Sequence, residues 1–223
     1  MSINPEPGLL VSGLGITYRA RRSPIFQDLS FELARDGRLA LLGRNGQGKS
    51  TLIRLLGGVS SPSSGRIEWR MKPSWPIGFS GGFQGSLTGL DNIKFLSSLY
   101  DRDYVSMRDR VDEFAELGTA LRRPVKHYSS GMRARLAFGL SLAIEFECYL
   151  IDELVAVGDA RFQNKCNEEL FNARKNRAYI LASHSVGLIR DQCDRALIIE
   201  GGKAKMFHDV EEAIEIYKWL RAA

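Results

Sequence analysis

Runs of apolar residues separated by turn-forming residues divide the chain into alternating strands and helices. Short runs rich in aliphatic and aromatic residues predict strands at residues 9–18, 25–33, 38–42, 66–69, 148–151, 178–182 and 196–200. Apolar residues at helical spacing predict helices at residues 50–56, 129–144, 159–172, 186–192 and 210–220. Because strands alternate with helices, the pattern indicates an α/β fold whose mostly parallel sheet is covered on both faces.

The segment at residues 90–145 departs from this alternation. It is rich in charged residues and has helical spacing, and the composition changes after about residue 85. We therefore interpret the 223-residue chain as a single domain. Its core spans residues 1–85 and 146–223, and a helical subdomain at residues 86–145 is inserted between strands.

Composition narrows the classes of protein to consider. The chain is 44% hydrophobic and 26% charged, as in ordinary globular proteins, and it lacks the run of ~20 apolar residues that spans a bilayer. We expect no secretory signal and three reduced thiols, because the three cysteines show no metal-ligand spacing. The net charge of +5 is spread among acidic residues, which favours a solvated surface over a nucleic-acid site. A mild attraction to an anionic inner leaflet is the alternative.

A glycine-rich segment joins the strand at residues 38–42 to the helix at residues 50–56. It fits the pattern G-x-x-x-x-G-K-[ST], in which backbone N–H groups surround a phosphate chain, the lysine contacts the β- and γ-phosphates, and the hydroxyl binds Mg²⁺. The alternative is a glycine-rich turn with an exposed lysine. The predicted nucleotide-binding residues are Gly43, Arg44, Asn45, Gly46, Gln47, Gly48, Lys49, Ser50 and Thr51.

Two carboxylates end the strand that begins at Cys148. In the sequence Cys-Tyr-Leu-Ile-Asp-Glu, Asp152 is predicted to hold Mg²⁺ and Glu153 to polarise the attacking water. An apolar run followed by Asp-Glu is a weak signal by itself, since strands often end in acids. Paired with the phosphate loop, it predicts the second half of one ATPase site.

Three further residues are predicted to contribute to this site. His184 follows the strand at residues 178–182, at the end where parallel sheets bind ligands, and it is predicted to contact the γ-phosphate. Gln84 is predicted to reach Mg²⁺ and the water, and Tyr18 to stack on adenine. The alternatives are a structural histidine, a polar loop residue and an aromatic residue packed against the sheet.

The order of these motifs resembles the ABC ATPase family over nearly the whole chain. Residues 128–132, Tyr-Ser-Ser-Gly-Met, are similar to the family's signature segment, usually Leu-Ser-Gly-Gly-Gln. The resemblance implies that Ser129, Ser130 and Gly131 cap the ATP of an opposite subunit, so that two copies form a head-to-tail homodimer. It also implies that Asp159 matches the D-loop aspartate. The implied fold is a P-loop NTPase core with an N-terminal antiparallel β subdomain and an inserted α-helical subdomain.

A narrower resemblance concerns the cargo. Residues 74–76, 82–89, 128–132 and 157–162 resemble ATP-binding subunits of bacterial capsular polysaccharide (polysialic-acid-type) exporters. This resemblance implies a peripheral protein on the cytoplasmic face of the inner membrane, a polytopic permease, and periplasmic and outer-membrane export proteins. Export of O-antigen, teichoic acid or a lipid stays open, as do a soluble ABC ATPase and a nucleotide-gated protein without turnover.

Overall fold

The structure is a computed structural model, and it describes residues 6–17, 23–78, 83–152 and 160–222. The chain divides into two compact units: Met1–Pro76 with Phe146–Glu153 and Asn176–Ala223, and Ile77–Glu145 with Leu154–Lys175. We call them the sheet unit and the helical unit. The helix predicted at residues 159–172 thus groups with the helical unit, although the sequence division assigned it to the core.

Within the described residues, the strands are β1 Leu9–Ile16, β2 Phe26–Leu33, β3 Arg38–Leu42, β4 Ser64–Trp69, β5 Pro73–Pro76, β6 Cys148–Asp152, β7 Ala178–Ala182, β8 Arg195–Glu200 and β9 Lys203–Phe207. The helices are α1 Lys49–Leu56, α2 Gly89–Leu99, α3 Tyr104–Ala115, α4 Ser130–Ala143, α5 Ala160–Asn167, α6 Val186–Gln192 and α7 Val210–Ala222. A π-helical turn, Glu168–Asn172, follows α5. The described elements confirm the predicted strands and helices and add two strands that were not predicted, β5 and β9.

The sheet unit contains two β-sheets. In the described residues, the larger has the strand order β5-β6-β7-β3-β8-β9, and only the β8–β9 pair is antiparallel. The smaller is antiparallel, with the order β2-β1-β4. These sheets confirm the predicted mostly parallel sheet and N-terminal antiparallel subdomain. Parallel pairing brings the carboxyl ends of β3, β6 and β7 to one edge, where α1 also begins.

The core of the sheet unit explains this architecture. Every residue of β7 is buried, as expected for a central strand covered on both faces. Side chains from both sheets and from α1 pack into one apolar cluster that includes Leu9, Phe26, Leu39, Leu52 and Leu150. The phosphate loop therefore begins and ends on well-packed elements.

The helical unit has an aromatic core of its own. Phe114, Phe138 and Phe162 come from α3, α4 and α5, and their ring centroids are 5.4–6.3 Å apart. Helix α2 begins with a reciprocal capping box between Thr88 and Asp91. In the part of the chain that the structure describes, no helix is long and apolar enough to cross a membrane.

Candidate functional site

The predicted phosphate loop connects β3 to α1, and its conformation requires glycine at two positions. Gly43 has φ 152°, and a Cβ atom there would lie 2.3 Å from the carbonyl oxygen of Ile199. Gly48, the residue before α1, has φ 104°, and its Cβ would lie 2.5 Å from the Cγ2 atom of Ile25. At Gly43 the clash is with a backbone atom, which cannot yield as a flexible side chain can, and both φ angles lie in the left-handed region that favours glycine. The tight loop therefore depends on these glycines.

Lys49 is the first residue of α1, and its side chain turns back into the loop. Its Nζ atom donates hydrogen bonds to the carbonyl oxygens of Gly43, at 2.7 Å, and of Arg44, at 3.2 Å. Only 7% of the residue is exposed. The lysine is therefore buried and held by the loop, which contradicts the alternative of a glycine-rich turn with an exposed lysine.

Ser50 and Asp152 meet at the carboxyl edge of the larger sheet. The Ser50 hydroxyl donates a hydrogen bond to Oδ1 of Asp152 at 3.0 Å, although 102 residues separate them along the chain. A hydroxyl and a carboxylate are oxygen ligands of the kind that Mg²⁺ prefers. These two side chains therefore fit the predicted magnesium site.

Other side chains of the loop contact the turn between β8 and β9. The Nε atom of Arg44 donates to Glu200 at 2.9 Å, and the backbone N–H of Gly201 donates to Oε1 of Gln47 at 3.0 Å. The hydrogen bond with Glu200 raises the pKa of the Arg44 guanidinium. Arg44 and Gln47 were predicted only as nucleotide-binding residues, and no sequence motif marks these contacts, which join the loop to the turn.

The remaining residues of the loop differ in exposure. Asn45 and Gly46 are exposed at its tip, and Thr51 is partly buried in the first turn of α1. Three predicted residues lie outside the described residues. They are Tyr18, predicted to stack on adenine, Glu153, predicted to polarise the attacking water, and Asp159, the implied D-loop aspartate.

His184 lies two residues beyond β7, at the same carboxyl edge. Its side chain is exposed, and its Nδ1 atom is 2.9 Å from the hydroxyl oxygen of Tyr217 in α7. Tyr217 lies in the last helix, which the apolar pattern predicted at residues 210–220, but nothing in the sequence marked its contact with His184.

Gln84 and the signature segment belong to the helical unit. The Gln84 side chain is exposed, and its backbone N–H donates to Oδ1 of Asn92 at 3.0 Å. Ser129 is the N-cap of α4, and its hydroxyl accepts a hydrogen bond from the N–H of Met132 at 3.2 Å. Ser129 and Ser130 are exposed and Gly131 is partly buried, so the start of α4 faces solvent in the single chain.

Comparison with known proteins identifies the family. Residues 26–156, more than half of the chain, match a family model described as ABC transporter. The chain belongs to the ABC transporter family. The predicted resemblance is thereby confirmed, and an ABC-type ATPase is what this membership implies.

Individual relatives of this ABC protein cover most of its length. The capsule polysaccharide export ATP-binding protein CtrD of Neisseria meningitidis is 52% identical over 196 residues, which are 88% of this chain and 91% of that protein. The ATP-binding protein BexA of Haemophilus influenzae is 53% identical over 193 residues, or 86% of this chain and 89% of that protein. A solved ATP-binding subunit of an ABC transporter has a TM-score of 0.74 at 22% identity, with 96% of this chain and 95% of that one covered. This likeness confirms the predicted fold.

Proposed function

We propose that this chain is the ATP-hydrolysing subunit that energises export of capsular polysaccharide across the bacterial inner membrane. It works as a homodimer with a separate polytopic permease, on the cytoplasmic face of that membrane. The observation that carries the proposal is the pairing of Ser50 with Asp152 beside the buried Lys49, in a chain about half identical to capsule-export ATP-binding proteins.

The phosphate loop binds the triphosphate. The loop and the N-terminus of α1 offer backbone N–H groups and positive potential to the phosphates. Lys49 exchanges its carbonyl partners for β- and γ-phosphate oxygens. The turn of β8 and β9 holds the loop in shape through Arg44 and Gln47, so little reorganisation accompanies binding.

Ser50 and Asp152 would hold Mg²⁺ at the sheet edge. When bound, the ion would neutralise negative charge on the phosphates. Glu153, the next residue in the sequence, orients the attacking water and accepts its proton. His184 contacts the γ-phosphate, and the assignment of Gln84 to Mg²⁺ stays a prediction from sequence.

A second copy completes the site. Ser129, Ser130 and Gly131 at the exposed start of one copy's α4 cap the γ-phosphate bound by the other copy. Asp159 lies in the segment predicted to contact the opposite subunit, and Tyr18 is predicted to stack on adenine. Closure around ATP and reopening after hydrolysis drive the permease, and periplasmic and outer-membrane proteins continue the export path.

The test compares export and hydrolysis in one set of strains. A strain lacking this chain is complemented with the parent, with Lys49→Ala, or with Lys175→Ala, which alters an exposed lysine of the helical unit. Surface polysaccharide and ATPase activity are both expected to be lost with Lys49→Ala and kept with Lys175→Ala. Normal surface polysaccharide with Lys49→Ala would overturn the proposal, and loss of another exported glycan would reassign the cargo.

A further inference from the structure

The backbone around His184 is fixed by two neighbouring serines. The N–H of Ser185 donates to the hydroxyl oxygen of Ser183 at 3.1 Å. The Ser185 hydroxyl in turn caps α6 by accepting from the N–H of Leu188 at 3.3 Å. What these bonds leave undetermined is the orientation of the exposed imidazole ring.

Tyr217 contacts this ring. It lies on the buried face of α7 with Ala213 and Ile214, and it is only 1% exposed. The guanidinium of Arg221 lies 5.7 Å from the centroid of its ring. Because packing holds the Tyr217 ring in place, its hydroxyl is a fixed hydrogen-bonding point 2.9 Å from Nδ1 of His184.

Helix α7 is also tied to the segment that carries His184. The Nη2 atom of Arg190 in α6 donates to Oε2 of Glu211 in α7 at 2.9 Å, and Nε of Arg190 donates to the other carboxylate oxygen. This two-point pairing fixes geometry better than a single contact between point charges. The His184 segment and the helix that follows it, α6, are therefore linked to α7 at two places, His184–Tyr217 and Arg190–Glu211.

We propose that Tyr217 is a positioning residue for ATP hydrolysis, an inference that rests on the proposed function of His184. Its hydroxyl holds Nδ1, so that Nε2 is the ring nitrogen that meets the γ-phosphate. With the hydroxyl donating to Nδ1, the neutral ring carries its proton on Nε2. That tautomer can donate a hydrogen bond to a phosphate oxygen.

The kinetic test uses the full chain and a double-mutant cycle. Tyr217→Phe keeps the ring and removes the hydroxyl, and it is expected to lower kcat roughly 3- to 10-fold, the range that one neutral hydrogen bond supports. KM for ATP is expected to stay within about twofold, because the phosphate loop that binds ATP is unaltered. In a His184→Ala background, Tyr217→Phe is expected to have no further effect, since Tyr217 acts only through His184.

Tyr149→Phe is the matched control. Tyr149 is 2% exposed in β6, and its hydroxyl oxygen accepts from the N–H of Phe146 at 3.3 Å, away from His184. Its kcat is expected to equal that of the parent. An equal fall in kcat for Tyr149→Phe and Tyr217→Phe would indicate a general effect of losing a buried hydroxyl and would overturn the inference.

The ring itself gives a second, independent readout. The chain has three histidines, so ¹⁵N spectra of histidine-labelled protein can follow the His184 imidazole directly. The parent is expected to show the form protonated on Nε2, and Tyr217→Phe a mixture of tautomers, with the spectra of His127 and His208 unchanged. An unchanged His184 spectrum would contradict the inference.

The results distinguish a wrong role for Tyr217 from a wrong role for His184. If His184→Ala lowers kcat but Tyr217→Phe does not, the positioning role of Tyr217 is wrong and the proposed function stands. If Tyr217→Phe lowers kcat equally with and without His184, the effect does not pass through His184 and the inference fails. If His184→Ala hydrolyses ATP at the parent rate, the proposed role of His184 is wrong and the inference falls with it.

Discussion

The Lys49 side chain is a positive charge placed in a protein interior. Two carbonyl oxygens of the phosphate loop accept its hydrogen bonds, but burial of an ammonium group remains costly. A bound triphosphate would add negative charge beside this ammonium group. We therefore expect the buried lysine to favour nucleotide binding while lowering the stability of the nucleotide-free fold.

Replacement of this lysine separates the two effects. Lys49→Met is expected to abolish ATP hydrolysis while leaving the free energy of unfolding without nucleotide equal to or above that of the parent, because a buried charge is replaced by an apolar chain. Urea denaturation and a phosphate-release assay measure the two quantities. A loss of more than about 2 kcal/mol of stability would show that Lys49 stabilises the fold itself.

Glu153 supplies a prediction about the chemical step. Glu153→Gln is expected to lower kcat by about 10²- to 10⁴-fold, the usual contribution of general-base catalysis. ATP affinity is expected to persist, because the phosphate loop is unchanged. Single-turnover hydrolysis and equilibrium binding of a fluorescent ATP analogue check both points, and parent-like turnover would reject the assignment.

At the scale of elements, the apolar pattern predicted most strands and helices and missed two strands. Strand β5 contains Pro73 and Pro76 and lies at the edge of the sheet, where proline is tolerated, so propensity argued against it. Strand β9 lies at the other edge, has only five residues, and exposes Lys203 and Lys205, so its apolar signal is brief. Strand β5 forms because it pairs with β6, and β9 forms because it pairs with β8. The local sequence does not contain that information.

The site shows the same division between local and long-range information. The phosphate loop and Asp152 follow local patterns and could be predicted from sequence. The hydrogen bond from Gly201 to Gln47 spans 154 residues, and the His184–Tyr217 contact spans 33 residues. Such contacts arise only when α7 and the β8–β9 turn pack against the sheet, so no sequence motif marks them.

Substitutions at two helix N-caps can separate an effect on stability from an effect on ATP hydrolysis. Thr88→Ala removes the capping box of α2, and Ser129→Ala removes the N-cap of α4. Each is expected to cost about 1 kcal/mol of unfolding free energy in urea titrations. Only Ser129→Ala is expected also to lower ATP hydrolysis, because only Ser129 is proposed to contact nucleotide. Equal hydrolysis in both variants would contradict the role of the signature segment.

At the scale of the whole molecule, the reactivity of the three cysteines can measure local opening in each of the two units. Cys148 and Cys193 lie in the sheet unit and Cys166 in the helical unit, and all three are buried. Burial raises the pKa of Cys166 and of Cys193 to about 12, and it also raises the pKa of Cys148. At pH 8 the native chain therefore holds very little thiolate, the form that reacts.

Thiol labelling turns this burial into a measurement of local opening. At pH 8 the native protein is expected to react slowly with a thiol-reactive disulfide reagent, and the denatured protein is expected to expose all three thiols at once. ATP with Mg²⁺ is expected to slow the labelling of Cys148 in particular, because Cys148 begins the strand that ends at Asp152. Rapid labelling of any cysteine in the native protein would contradict its burial.

The proposed ATPase activity depends on one arrangement, in which the loop and Lys49 bind a triphosphate while Ser50 and Asp152 hold its magnesium. A crystal structure of Glu153→Gln with ATP and Mg²⁺ tests it most directly. We predict Lys49 Nζ in hydrogen-bond contact with the β- and γ-phosphates, and Mg²⁺ about 2.1 Å from the Ser50 hydroxyl oxygen, with Asp152 bound directly or through water. Nucleotide bound elsewhere, with the pocket around Lys49 empty, would contradict the account.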